Sequence, residues 1–154
     1  STTTLGGNEV MGRTFGERTR ESCTKSLVRE LELGRLAERV CIPCRGDVPP
    51  LSAEEIAPLR AQLEAGWEVV ERPNPKHGSV TLLNRTYKFR NFAEALNATV
   101  RIGEMAEEQQ HHPDLHLAWG RLGIEIWTHK IGGLTESDFI FAAKCDALLA
   151  GNAA

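Results

Sequence analysis

The chain has 154 residues, enough for one domain of ordinary size or a smaller domain with an extension. A hydrophobic content of 41% and a charged content of 25% are those of a soluble globular protein and exclude a disordered one. A formal charge of −3 and a pI near 6.0 give no electrostatic reason to expect nucleic acid or an anionic membrane as partner, and no apolar run approaches the roughly 20 residues that span a bilayer.

In chain order, Ser1 to Val10 lacks the apolar core of a secretory signal. Residues 12–29 are rich in Arg, Ser and Thr, but Glu17 and Glu21 among them argue against a transit peptide. Residues 1–21 are polar and aperiodic, which predicts a mobile start. Ser22 to Val40 is expected to be helical, with Leu27, Leu31, Leu36 and Val40 on a ragged stripe that Gly34 interrupts. The run Cys41-Ile-Pro-Cys44, followed by Gly46, Pro49 and Pro50, marks a connecting loop. The compositional shift there divides an extension over 1–50 from a domain over 51–150.

Of Cys23, Cys41, Cys44 and Cys145, only Cys41 and Cys44 form a close pair. A structural zinc site takes four ligands, and nothing else is suitably spaced in sequence, although Cys23 could approach in space; two reduced thiols at a turn is the reading preferred over zinc or a disulfide. That usage fits a cytoplasmic or otherwise reducing compartment.

Beyond Leu51 the signals sharpen. Ser52 with Glu55 is a capping box, and Ile56, Leu59 and Leu63 then share a helical face. Pro58 implies a kink or a later start, and Gly66 an end. Trp67 to Glu71 and Ser79 to Phe89 read as a hairpin around the turn-rich Pro73-Asn-Pro-Lys-His-Gly78. Asn91 with Glu94 opens a long helix whose predicted buried stripe is Phe92, Ala95, Leu96, Thr99, Val100, Gly103 and Ala106. It stops by His112, because Pro113 pushes the residue before it out of the α region. Leu115, Leu117 and Trp119 alternate on one strand and Leu122, Ile124 and Ile126 on the next, with Gly120-Arg121 between them. Glu125, Trp127 and His129 take the opposite face. After Gly132-Gly133, Thr135 with Asp138 opens a last helix to about Leu149. The order helix, hairpin, helix, hairpin, helix predicts an α+β fold, with helices over one face of a four-stranded antiparallel sheet.

Four of the five histidines lie between 111 and 129. An antiparallel hairpin turning at Gly120 brings His129 back toward His111 and His112. Imidazoles suit proton transfer near neutral pH, and with carboxylates they also suit a metal; spacing alone leaves both open.

The stretch Glu107-Glu-Gln-Gln-His-His-Pro113, then Trp119, His129 and Asp138, resembles the signature of the pterin-4a-carbinolamine dehydratase family. That signature is an acid, three residues, His-His-Pro, an aromatic, a histidine and a later aspartate. The flanks Pro113-Asp-Leu-His-Leu, Thr128-His129 and Gly132-Gly-Leu-Thr-Glu-Ser-Asp138 agree with it.

The resemblance implies dehydration of 4a-hydroxytetrahydropterin to quinonoid dihydropterin, without metal or organic cofactor, recycling the tetrahydrobiopterin of aromatic amino acid hydroxylases. It implies His111, His112 and His129 as the proton-transfer and positioning residues, with acid and base unassigned between His111 and His129. Glu107 and Asp138 would orient the imidazoles, and Trp119 would wall the pterin, with Pro113, Asp114 and His116 as further substrate contacts.

From the residues alone, Asp138 reads equally as the capping acid of the last helix, and His116 falls on the polar parity of its strand. The resemblance also implies assembly as a homodimer or homotetramer. A related branch acts as Rubisco assembly factors in carbon-fixing bacteria and plastids, so the alternative is a binding module for the Rubisco large subunit, plastid- or carboxysome-associated.

Overall fold

The computed structural model describes residues 35–43 and 46–151. The expected mobile start, most of the helix expected over 22–40, Cys23 and Cys44 lie outside the described residues; of that helix, residues 35–38 are helical. Seven elements follow: α1 (Ala53–Ala61), β1 (Glu68–Asn74), β2 (Gly78–Lys88), α2 (Phe92–Gln109), β3 (Asp114–Ala118), β4 (Arg121–Ile126) and α3 (Glu136–Leu149).

The cap chemistry decides where the helices begin. Ser52 Oγ accepts from the Glu55 amide at 3.4 Å while the Glu55 carboxylate accepts from the Ser52 amide at 2.8 Å, so α1 starts at Ala53. Pro58 therefore lies inside the helix, where it removes the bond to the carbonyl four residues back, and α1 ends three residues later. Gly66 does not end it. It sits in the turn to β1, where a Cβ would come 2.9 Å from Arg85 Nε. Asn91 Oδ1 accepts from the Glu94 amide at 2.9 Å and opens α2.

The strands form one antiparallel sheet in the order β1-β2-β4-β3. Pro73 is tolerated in β1 because that strand is an edge. The predicted turn narrows to three residues between the paired Asn74 and Gly78. There Asn74 Oδ1 accepts from the amides of Lys76 and His77 at 2.9 and 3.1 Å.

Leu83 and Tyr87 of β2 and Leu122, Ile124 and Ile126 of β4 meet α2 and α3 in the core. Nearly every side of α3 is buried, because the sheet, the other helices and residues 35–42 pack around it; Leu36 and Cys41 belong to the same core. The Trp67 indole N–H reaches both carboxylate oxygens of Asp146 at 3.0 Å, and Arg85 and Tyr87 donate to the same group.

The inward face of α2 also differs from the expected stripe. The buried residues of α2 are Ala95, Ala98, Ile102 and Ala106, whereas Phe92, Leu96 and Val100 are 44–50% exposed. Apart from Ile102, small residues face inward because α2 lies close on α3 and the sheet, and Phe92, Leu96 and Val100 run along the outer side.

Candidate active site

Three local devices bring the site together. At the end of α2, Gln110 takes the left-handed conformation (φ +52°), and the His111 amide bonds back to Ala106 O at 3.1 Å. A non-glycine residue there is uncommon, and it swings the chain so that His111 and His112 leave the helix axis at once. The β3–β4 hairpin, with Gly120 at φ +67°, returns the chain beside its own start. Past β4, Thr128 and Gly133 form an isolated bridge that folds His129 into a tight loop.

The result is a pocket of about 180 Å³ lined by His111, His112 and His129, with Trp127, Thr128 and Pro43 among its walls. Larger hollows of about 530 and 430 Å³ lie elsewhere, one between α2 and α3 and one beside residues 42–43 and 47–51. Neither gathers imidazoles, so the smaller pocket is the chemically equipped one.

His111 is nearly buried, with Nε2 donating to Asp138 Oδ1 at 2.6 Å. Asp138 is fully buried, and its other oxygen accepts from the Thr135 amide at 2.7 Å and the Thr128 hydroxyl at 2.9 Å. The two readings of Asp138 coincide in space: one oxygen caps α3 and the other holds an imidazole. A carboxylate accepting at Nε2 places the proton of a neutral ring there and leaves Nδ1 as its lone-pair nitrogen. The His111 ring also lies 5.7 Å from Phe141, which limits its swing.

His112 Nε2 donates to Glu107 Oε1 at 2.9 Å across the last turn of α2. Both are more than half exposed, so this bond orients the ring weakly. His129 rests against Trp127, with centroids 4.1 Å apart. Among the described residues, no three His, Cys, Asp or Glu side chains are grouped to hold a metal ion.

Other expected contacts are not brought together. Trp119 is 73% exposed on the β3–β4 turn, at the end of the hairpin away from the histidines, because the two-residue loop puts it at the tip. The aromatic wall of the pocket is Trp127 instead. His116 points outward by strand alternation and faces Glu125 at 3.5 Å. Pro113 lies four residues past the end of α2, which Gln110 closes, and does not line the pocket. Asp114 acts at one remove, accepting from the Trp127 indole at 3.4 Å.

Sequence reasoning also missed His77. Its Nε2 donates to His129 O at 3.1 Å and its ring meets Trp127 edge-on at 6.3 Å, a contact across 52 positions that no local pattern announces. Trp127 did leave a signal, since it shares strand parity with His129.

The profile of the family described as pterin 4 alpha carbinolamine dehydratase matches residues 49–148. A protein of Rubrobacter xylanophilus named "Putative pterin-4-alpha-carbinolamine dehydratase" is 53% identical over 116 residues, covering 75% of this chain and all of that protein. One of the same name from Alkaliphilus metalliredigens is 49% identical over 74% of this chain and 96% of its own length. Among solved structures, a transcriptional coactivator/pterin dehydratase from Brucella Melitensis superposes with a TM-score of 0.55 at 27% identity, over 64% of this chain and 97% of that one. A pterin dehydratase-like protein identified as a RuBisCO assembly factor in the alpha-carboxysome is 21% identical with a TM-score of 0.43, too distant to inform this chain's partners.

Proposed function

The chain belongs to the pterin 4 alpha carbinolamine dehydratase family, and on that premise we propose that it dehydrates 4a-hydroxytetrahydropterin by histidine acid–base catalysis. The observation that carries this reading is the convergence of His111, His112 and His129 on one pocket, with His111 fixed on a buried carboxylate. Loss of water breaks the C4a–O bond and makes a C=N bond to a ring nitrogen. One imidazolium protonates the departing oxygen, and one neutral imidazole takes the ring nitrogen proton, so the protons balance over a cycle. His111 and His129 form that pair in this reading. Asp138 sets the tautomer of His111, as an acid behind a catalytic histidine does elsewhere. His112, tied to Glu107, positions the pterin, and Trp127 offers an aromatic wall to its flat ring. The physiological role in this account is recycling of tetrahydropterin.

We also propose that the chain forms homodimers or homotetramers. The exposed Phe92, Leu96 and Val100 lie one turn apart on α2, an apolar stripe that a second copy would cover.

The test is the dehydration rate of 4a-hydroxytetrahydropterin with the wild-type chain. A rate well above the uncatalysed one supports the reading, and no acceleration overturns it. Co-purification with Rubisco large subunit in place of turnover would favour the assembly-factor alternative.

A further inference from the structure

The matched family profile begins at residue 49, yet Pro43 lines the histidine pocket. The stretch that carries it is bound down with unusual care for a connecting loop. Ile42 N–H donates to Ser137 Oγ at 3.0 Å, and Ser137 O–H donates to Ile42 O at 3.0 Å. The Cys41 thiol reaches Ser137 O at 3.6 Å, and the Cys41 amide donates to Gln109 Oε1 at 3.4 Å. Just upstream, Arg39 pairs with Glu136, and Lys144 Nζ donates to Ala37 O at 2.6 Å.

These anchors have a common address. Ser137 directly precedes Asp138, and Gln109 stands two residues before His111. The segment is therefore tied to the two stretches of chain that present the ends of the His111–Asp138 bond. Ordering a loop residue loses about 1–2 kcal/mol of backbone freedom, and a plain linker has no reason to be ordered twice over beside a pocket.

We propose that residues 41–43 are a strap that completes the substrate pocket. Pro43 supplies a rigid apolar edge to a planar pterin, and Ser137 is a positioning residue that holds the strap in register with Asp138. The inference rests on the dehydratase reading and deepens it. Proline suits the place: its φ is fixed before ligand arrives, and it presents no amide that a bound ring would leave unpaired.

The experiment measures steady-state dehydration by the full chain as wild type, Pro43→Gly, Ser137→Ala and the double variant. KM is expected to rise about 3- to 10-fold in each single variant while kcat stays within about threefold, the pattern of lost ground-state binding. The double variant should be little worse than Ser137→Ala, because both act through one strap. Unmoved KM in both single variants, with an active wild type, overturns the strap alone. So do falls in kcat that merely track lost thermal stability. An inactive wild type overturns the dehydratase reading itself, and the strap's role with it.

Discussion

Asp138 divides its carboxylate between a helix and a histidine, with Oδ2 accepting from the Thr135 amide at 2.7 Å and Oδ1 from His111 Nε2 at 2.6 Å. The acid is thereby fixed to backbone, and the imidazole inherits that rigidity. An orienting carboxylate on a free side chain would pivot; this one cannot without uncapping α3.

The arrangement predicts the behaviour of Asp138→Asn. The Thr135 amide and Thr128 hydroxyl need an acceptor, so the new NH2 turns toward His111 and faces a donor. The ring must then change tautomer or move. Turnover is expected to fall on the order of 10²–10⁴-fold, as when the acid behind a catalytic histidine is neutralised. Urea unfolding should show a loss of about 1–3 kcal/mol. A variant with full turnover would contradict the role given to Asp138.

The brace at His77 predicts a coupled pair. Gly132 sits at φ +67°, and a Cβ there would lie 2.6 Å from His77 Cγ. Gly132→Ala is expected to lower stability by about 1–3 kcal/mol and to slow turnover by displacing His129. Adding His77→Ala should recover the steric share, a coupling of about 1 kcal/mol in a double-mutant cycle of urea unfolding. Strict additivity would show that the two residues do not meet.

Local chemistry was the legible part of this chain. Caps at Asn91 and Thr135 are short-range hydrogen-bond patterns that locate helix starts to the residue, whereas at Ser52 the sequence left a later start near Pro58 open and the capping box decides against it. Strand alternation through Leu122, Ile124 and Ile126 likewise fixed which face is buried, and hairpin pairing brought His129 toward His111. What stayed hidden depends on contacts between distant segments. Two apolar stripes overlap on α2, and periodicity cannot say whether alanines or Phe92 and Leu96 face inward. The two tryptophans flanking β4 differ only in which end of the hairpin they occupy. His77 and Pro43 reach the site from loops far off in sequence.

The buried cluster around Asp146 predicts a stability defect away from the pocket. Its carboxylate accepts from Trp67, Arg85 and Tyr87, and burial pushes its pKa up. Asp146→Ala would strand the Arg85 charge and the indole N–H. A loss of about 3–5 kcal/mol is expected by urea unfolding. A loss under about 1 kcal/mol would mean that the cluster is replaceable by solvent.

Cys41 predicts an alkaline limit. Burial pushes its thiol from the ordinary 9.0 up to about 11, so the folded chain holds it neutral after the unfolded chain would ionise it. Its contribution is therefore fully present below pH 9 and drains away as pH rises toward 11, by at most about 3 kcal/mol. Melting temperature should fall over that interval, and Cys41→Ala should fall less. Identical alkaline profiles would remove the thiol from the account.

In the proposed mechanism His111 and His129 share one proton-transfer event. The direct measurement is kcat for dehydration of 4a-hydroxytetrahydropterin by His111→Ala, His129→Ala and the double variant, each checked for folding by circular dichroism. Each single variant should lose on the order of 10²–10⁴-fold, and the double should be scarcely slower than the worse single, as for residues that act as a unit. Folded single variants that turn over within about threefold of wild type would contradict it.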